Sequence, residues 1–102
     1  MKTIILKDIL AEKAYPDAGD YIFKDIKDSI IAHDKVIIDM SDVLSVPTMF
    51  LNTSLGAIIE EFGTLKLKES LGFKNITKSQ AERIQKYLID YNQVIENNKH
   101  KI

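Results

Sequence analysis

The side chains best suited to metal or proton chemistry are two histidines, His33 and His100, which lie far apart in the chain. A metal site needs three or four converging donors, and neither histidine belongs to a ligand motif such as His-x-His or His-Glu-x-x-His. His33 falls on the apolar side of a predicted helix near its last turn, where an imidazole can pack and cap free carbonyl groups. We therefore predict no metal site and no cofactor.

A second set of polar side chains follows the strongest apolar run of the chain. Asp39 ends that run, and Ser41 and Asp42 come directly after it. Because open α/β sheets bind ligands at the carboxyl ends of their strands, these residues support one alternative, a small enzyme or nucleotide- or ligand-binding domain. The simpler interpretation is that Asp39 terminates a strand and binds loop amides. The sequence has no Walker loop, dinucleotide fingerprint or paired nucleophile and base, so we expect a protein that is not an enzyme.

The composition restricts the class of protein. A chain of 102 residues fits one domain, which we place at residues 1–95, followed by a polar tail at 96–102. The net charge of -1 argues against nucleic-acid binding, which needs a basic excess. The sequence has no cysteine for a disulfide and no run of about 20 apolar residues to cross a membrane. We expect a soluble, cytoplasmic protein with no membrane contact.

Strands and helices are predicted to alternate along the chain. Strands are expected at Thr3–Leu6 and Lys35–Met40, and helices from about Ala18 to His33, from Pro47 to Phe62 and from Thr77 onward. Between Thr64 and Asn75 apolar residues alternate at Leu65 and Leu67 and again at Leu71 and Phe73, which allows one strand or two short ones. The prediction is therefore an α/β fold with a mostly parallel sheet of about four strands packed against three helices.

Three local patterns add detail to this prediction. Val36, Ile37 and Ile38 are consecutive, which predicts a strand covered on both faces. Thr77 and Gln80 have the spacing of a capping box. The buried stripe of the last helix is predicted to consist of Ala81, Ile84, Leu88, Tyr91 and Ile95.

The segment from Ile37 to Gly63, IIDMSDVLSVPTMFLNTSLGAIIEEFG, carries a family pattern. A strand ends in Asp39, a loop carries Val43, a helix follows with Phe50, Leu51 and Gly56, and GFKNIT precedes a later helix. From Ile4 to Tyr91 the chain resembles the bacterial STAS-like family of unknown function, a small relative of the STAS domains of anti-sigma factor antagonists. The resemblance implies a non-enzymatic regulatory switch, with an ATPase-type kinase as its partner.

The resemblance also singles out Thr48. In STAS domains the strand–helix junction reads Asp-Ser-Ser-Gly, and the first Ser receives phosphate from the partner kinase. Thr48 falls at that position, but Pro47 replaces the Asp, and Met49 and Phe50 stand where the Ser-Gly pair would be. The resemblance thus implies Thr48 as a phospho-acceptor, and the alternative is that its hydroxyl satisfies free amides of the first helical turn.

A helical wheel of the second helix gives a prediction that does not depend on the family. Met49 points away from the buried stripe, on a face shared with Thr53, Gly56 and Glu60, and Phe50 lies off the stripe and is expected to be partly exposed. Since methionine adapts its shape and glycine permits close approach, this face suits protein contacts. We predict that a partner binds at the 45–56 junction through Thr48, Met49, Phe50, Thr53 and Gly56. The third alternative is a self-associating module, with the same face buried in a homodimer.

Overall fold

The computed structural model describes residues 1–99, with side chains as far as residue 94. This range contains three strands and five helices. They are β1 (Lys2–Ile5), α1 (Leu6–Glu12), α2 (Tyr15–Ile31), β2 (Val36–Asp39), α3, α4 (Thr64–Ser70), β3 (Leu71–Lys74) and α5 (Lys78–Lys99). Helix α3 is continuous and consists of an α-helical start at Thr48–Leu51, a π-helical turn at Asn52–Gly56 and an α-helical end at Ala57–Phe62.

The α/β class is confirmed, but the element counts differ from the prediction. Residues 1–99 form three strands rather than about four, and five helices rather than three. The strand prediction between Thr64 and Asn75 is confirmed at Leu71 and Phe73, which lie in β3. It is wrong at the leucines before them, which lie in helix α4, where Leu67 is buried and Leu65 is 71% exposed. The two leucines therefore lie in different environments, unlike two residues on one face of a strand. The short helix α1 was not predicted, because its residues follow β1 without a turn signal.

The sheet is parallel throughout, with the strand order β1-β2-β3. The register places Ile4 beside Ile38 and Ile38 beside Phe73. Right-handed connections that move in the same direction across a sheet lie on the same side of it. The connections from β1 to β2 and from β2 to β3 therefore place their helices in one layer, and the domain has two layers.

Only one face of the sheet is covered by the described helices. Ile4, Val36 and Ile38 are buried beneath them. The other face, here called the open sheet face, consists of Thr3, Ile5, Ile37, Asp39, Gly72 and Lys74. Thr3 and Lys74 are exposed on it and Ile5 is 45% exposed. The prediction that both faces of β2 are covered is therefore wrong for the described part of the chain.

Helices α2 and α3 pack closely at Gly19. A Cβ atom at Gly19 would lie 1.7 Å from the Thr53 side-chain oxygen, so only glycine fits there. On the α3 side, the hydroxyls of Thr53 and Ser54 donate to the Phe50 carbonyl at 3.2 and 2.6 Å. Such bonds to the preceding turn compete with the backbone ladder, and they occur where α3 widens into its π-helical turn.

Helix α5 begins with the predicted capping box. The Thr77 amide donates to the Gln80 side chain and the Gln80 amide to the Thr77 hydroxyl, both at 3.1 Å. Ile84 is buried as predicted, whereas Ala81 is exposed, because only a narrow stripe of α5 faces the domain. The Ile95 side chain lies outside the described residues. The predicted tail at 96–102 is helical in its backbone as far as Lys99, and the rest of it, including His100, lies outside the described residues.

Helix α2 ends earlier than predicted, at Ile31. His33 follows it with a φ of 55° and an exposed side chain, so the expectation that it packs on the apolar side of the helix is wrong. Among the helices described here, none has the length and apolar character to span a membrane.

Candidate functional site

The loop between β2 and α3 is held in place through its backbone carbonyls. Gln80 donates its side-chain amide to the Val43 carbonyl, and the Arg83 Nε donates to the Val46 carbonyl at 2.7 Å. The Tyr15 hydroxyl donates to the Ser45 carbonyl at 3.0 Å. Val43 and Val46 are themselves buried in the core. Helices α2 and α5, which are distant in sequence, therefore hold the backbone of this loop in place.

The same loop presents one large apolar side chain to solvent. Leu44 is 96% exposed, between the buried residues Val43 and Val46 that anchor the loop. Asp42, two residues before Leu44, has a φ of 60° and forms an exposed ion pair with Lys7 at 3.3 Å. Leu44 therefore projects from a fixed backbone rather than from a free loop end.

Thr48 is the first residue of α3 and is exposed. Its Oγ1 accepts a hydrogen bond from the Arg83 Nη2 at 3.2 Å. The capping position belongs to Pro47, which makes no side-chain capping bond. The alternative that Thr48 satisfies free helix amides is thus not what the structure contains, because its hydroxyl binds Arg83.

Two adjacent residues of the predicted surface have opposite exposures. Met49 is 55% exposed and points outward as predicted. Phe50 is 4% exposed, so the expectation of its partial exposure is wrong. The reason is helix α2, whose Tyr15 ring meets the Phe50 ring edge-on with centroids 5.7 Å apart.

The remaining residues of that surface are covered by neighbouring helices. Thr53 is half-buried against Gly19 of α2. Gly56 is buried, and a Cβ there would lie 2.7 Å from the Tyr87 hydroxyl and 3.3 Å from the Tyr91 ring. The outward face that the helical wheel predicts is therefore divided, because α2 packs on one side of it and α5 on the other.

Helix α5 lies along α3 through a row of matched side chains. Tyr87 donates its hydroxyl to Asn52 at 2.6 Å, and Tyr91 donates its hydroxyl to Glu60. The two tyrosine rings stack with centroids 5.5 Å apart. Together with Arg83, these tyrosines recur every four residues on one face of α5. That spacing is visible in the sequence and is the signal that could have identified them.

An open groove of about 540 Å³ runs beside this row. Arg83 stands at the Thr48 end of it, and Lys86 is paired with Asp90 at 2.8 Å. Since the described side chains give Arg83 no carboxylate partner, its charge is free to meet an anion. The full lining consists of Thr48, Arg83, Lys86, Tyr87, Asp90, Tyr91 and Val94.

Asp39 is occupied by its own neighbours. Its Oδ1 accepts bonds from the Asn75 side chain at 3.0 Å, the Ser41 amide at 3.0 Å and the Ser41 hydroxyl at 2.7 Å. These bonds, that of Asn75 first, lower the pKa of Asp39 to about 2. Asp42 forms its ion pair with Lys7 instead, so it does not join Asp39 and Ser41 in one site. Among the described residues, no group of three or more His, Cys, Asp and Glu side chains is placed to hold a metal ion.

Comparison with known families matches a model described as "STAS-like domain of unknown function (DUF4325)" over residues 18–81. The match covers more than half of the chain, from α2 through the junction to the start of α5. The matched range is shorter than the range from Ile4 to Tyr91 over which the sequence resembles the family. Neither the search of curated proteins nor the search of solved structures found a match. With the α/β fold described above, this match identifies the chain as a member of the family of STAS-like domains of unknown function.

Proposed function

We propose that this domain is a regulatory protein-interaction module that binds a partner protein at the start of α3. The contact area, here called the junction surface, consists of Leu44, Ser45, Thr48 and Met49. The observation that carries the proposal is the exposure of two large apolar side chains, Leu44 and Met49, on a backbone fixed by bonds from α2 and α5. The predicted contact residues Phe50 and Gly56 serve instead as the packing that supports this surface.

A fixed backbone favours binding because association must otherwise order the loop. Ordering costs about 0.5–1.5 kcal/mol for each immobilised side chain and more for mobile backbone. The carbonyls of Val43, Ser45 and Val46 are already bound within the domain, so a partner meets an ordered loop. Leu44 can then enter an apolar pocket, and Met49 can adapt to its rim.

The family resemblance supports an ATPase-type kinase as the partner, in the bacterial cytoplasm, and Thr48 as the residue it modifies. A phosphate on Thr48 would add a charge of about -1.5 to -2 beside two apolar contact residues. Arg83, which already donates to the Thr48 hydroxyl, is positioned to pair with that phosphate. Modification would then turn the junction surface from apolar to anionic and release the partner.

The experiment is titration calorimetry of the purified domain with an ATPase-type kinase of the same cell. Leu44→Glu and Met49→Glu are each expected to weaken binding at least tenfold while the melting temperature changes little, because both side chains are exposed. Leu65→Glu is the matched control, since Leu65 is an exposed leucine on α4, outside the junction surface. Binding that survives both charge substitutions would overturn the proposal.

A further inference from the structure

The open sheet face lacks the covering layer that parallel sheets usually have on both faces. All-parallel sheets occur almost only with both faces covered, because their strands are apolar on both sides. Here β2 reads Val-Ile-Ile, yet the described helices cover only the side of Val36 and Ile38. Ile37 points to the other side, with the exposed Ile5 on the neighbouring strand. The strand sequence is thus apolar on both faces of the sheet, and among the described residues no helix packs over the Ile37 side.

The centre of this face, at Gly72, is covered by the side chains of neighbouring residues. A Cβ at Gly72 would lie 2.8 Å from the Ile37 Cδ1 and 3.4 Å from the Lys35 Cε. The side chains of Ile37 and Lys35, the latter with its Nζ 3.8 Å from that Cβ position, therefore lie across Gly72 and fill the space a side chain would take. This leaves a smooth surface rather than a pocket, which suits packing against a secondary-structure element and not a small ligand.

Two lysines reach this face, and the described side chains give an ion pair to one of them. Lys35, which reaches over Gly72, and Lys74 are both exposed. The one carboxylate of the face, Asp39, already accepts three hydrogen bonds through Oδ1 and lies 4.0 Å from the Lys74 ammonium through Oδ2. Lys35 makes no ion pair with any side chain described here. An occupant of this face should therefore carry carboxylates beside an apolar stripe.

The dimensions fit one helix. Strands of four residues are about 13 Å long, and three neighbouring strands span about 10 Å between the outer two. An α-helix is about 10 Å in diameter, and 13 Å of it is about nine residues. A second copy of the domain fits the same area less well, because it would bring its own Lys35 and Lys74 against a face bordered by the same charges.

We propose that the open sheet face binds an amphipathic α-helix of a partner protein, with an apolar stripe of about nine residues flanked by Asp or Glu. The helix completes the layered arrangement that a parallel sheet requires, and its carboxylates pair with Lys35 and Lys74. This site is separate from the junction surface, so the two proposals can fail independently.

Two synthetic peptides test the proposal by amide chemical-shift titration of the ¹⁵N-labelled domain. Both carry the same helical leucine stripe, and the flanking positions are glutamate in one and lysine in the other. The acidic peptide is expected to shift amides of β1, β2 and β3, with an affinity at least tenfold above that of the basic peptide and falling with added salt. Equal affinities, or shifts confined to α3 and α5, would overturn the proposal.

Variants locate the contact and separate it from the junction surface. Ile5→Lys, on an exposed position, and Ile37→Lys, on a half-buried one, are each expected to abolish binding of the acidic peptide. Leu65→Lys on α4 and Met49→Glu on α3 are expected to retain it. Loss of binding in Leu65→Lys, or retention in Ile5→Lys with an unchanged melting temperature, would contradict the site. Light scattering that shows a dimer abolished by Ile5→Lys would instead assign the face to a second copy and overturn the proposal.

Discussion

Arg83 and Thr48 are hydrogen-bonded across 35 residues of sequence, from Nη2 to Oγ1 at 3.2 Å. The same guanidinium donates from Nε to the Val46 carbonyl at 2.7 Å. A planar guanidinium has its donors in a fixed fork, so one side chain sets the position of two atoms on either side of Pro47. The start of α3 is therefore positioned by a residue of α5, and the junction surface depends on the last helix of the domain.

Replacing Arg83 with Met keeps most of the apolar stem and removes both hydrogen bonds. The expected loss is about 1.5–2 kcal/mol in the free energy of unfolding, the lower part of the range for bonds from a charged donor, because Arg83 is exposed. Urea unfolding measures this loss. Amide hydrogen exchange of residues 43–48 should accelerate more than that of β2, since the loop is released before the sheet.

Two further variants test the geometric role of Arg83. Arg83→Lys keeps the charge but lacks the fork, so it should not restore slow exchange in the loop. Lys86→Met removes a neighbouring cation whose surface ion pair with Asp90 is worth about 0.3–0.5 kcal/mol. If Lys86→Met releases the loop as strongly as Arg83→Met, the effect is one of charge and the positioning role is wrong.

Gly19→Ala tests the close contact of α2 and α3. Alanine favours a helix by about 1 kcal/mol over glycine, which alone would stabilise the domain. The new Cβ, however, would meet the Thr53 Oγ1 at 1.7 Å and the Phe50 carbonyl oxygen at 3.2 Å. Because backbone cannot move aside cheaply, we expect a net loss of about 1–3 kcal/mol in urea unfolding.

The control for this contact is the double variant Gly19→Ala with Thr53→Ala. It removes the Oγ1 that lies nearest to the new methyl group but keeps the Thr53 Cβ at 2.8 Å. Partial recovery of the free energy of unfolding, beyond the sum of the single effects, is expected. Additive effects would show that Gly19 is not selected by its contact with Thr53.

Asp39→Asn tests the hydrogen bonds that end β2. The pKa of Asp39 is lowered from 3.8 to about 2 by Asn75, by the two Ser41 bonds and by Lys74. A lowered pKa in the folded state stabilises the fold above pH 3.8, and this contribution is lost as the pH falls towards 2. The variant should be less stable than the wild type at neutral pH, and the difference should shrink as the pH falls from 4 to 2.

Unfolding curves at several pH values measure this difference, and Asp42→Asn is its control. That variant removes a negative charge from the same loop but only one exposed ion pair, with Lys7. Asp34 keeps part of the acid dependence in both variants, because the Lys35 amide and the amino terminus lower its pKa. A constant gap between the wild type and Asp39→Asn from pH 7 to pH 2 would contradict the assignment.

Most of the fold was predictable because local patterns and tertiary packing agree in it. The periodicities of β2, α2 and α3 and the capping box at Thr77 all have their predicted structure. The local pattern and the tertiary packing disagree after Gly63. Leu65 and Leu67, spaced two apart, suggest a strand but lie in helix α4. A segment of seven residues is too short to distinguish the two-residue period of a strand from the 3.6-residue period of a helix. The residues that pack against the segment, and so decide between the two, lie elsewhere in the chain.

The candidate site was less predictable because its shape depends on which helices lie beside α3. A helical wheel places Met49 and Gly56 on one outward face, since it contains α3 alone. In the structure, Gly56 is buried beneath Tyr87 and Tyr91, which approach it because it has no side chain. Arg83 was missed for the same reason, as its partners in the junction lie 35 and 37 residues earlier.

Tyr87→Phe tests the row of contacts that aligns α5 with α3. The variant removes the hydroxyl that donates to Asn52 at 2.6 Å, which should cost about 0.5–1.5 kcal/mol at neutral pH. Burial, and then the charge of Glu60, raises the pKa of Tyr87 from 10.0 to about 12. Because the folded state favours the neutral phenol, Tyr87 contributes fully to the free energy of unfolding below pH 10. This contribution is lost as the pH rises to about 12.

The wild type should therefore lose stability over this alkaline range more steeply than Tyr87→Phe, as measured by urea unfolding and tyrosinate absorbance. Some alkaline loss remains in the variant, since burial also raises the pKa of Tyr91. Asn52→Ala is the matched control, because it breaks the same hydrogen bond and leaves the Tyr87 phenol where it lies. Burial is the larger cause of the shift, so Asn52→Ala should keep the steep alkaline loss that Tyr87→Phe removes. If both variants flatten the curve equally, the bond to Asn52 and not the burial of the Tyr87 side chain governs the titration.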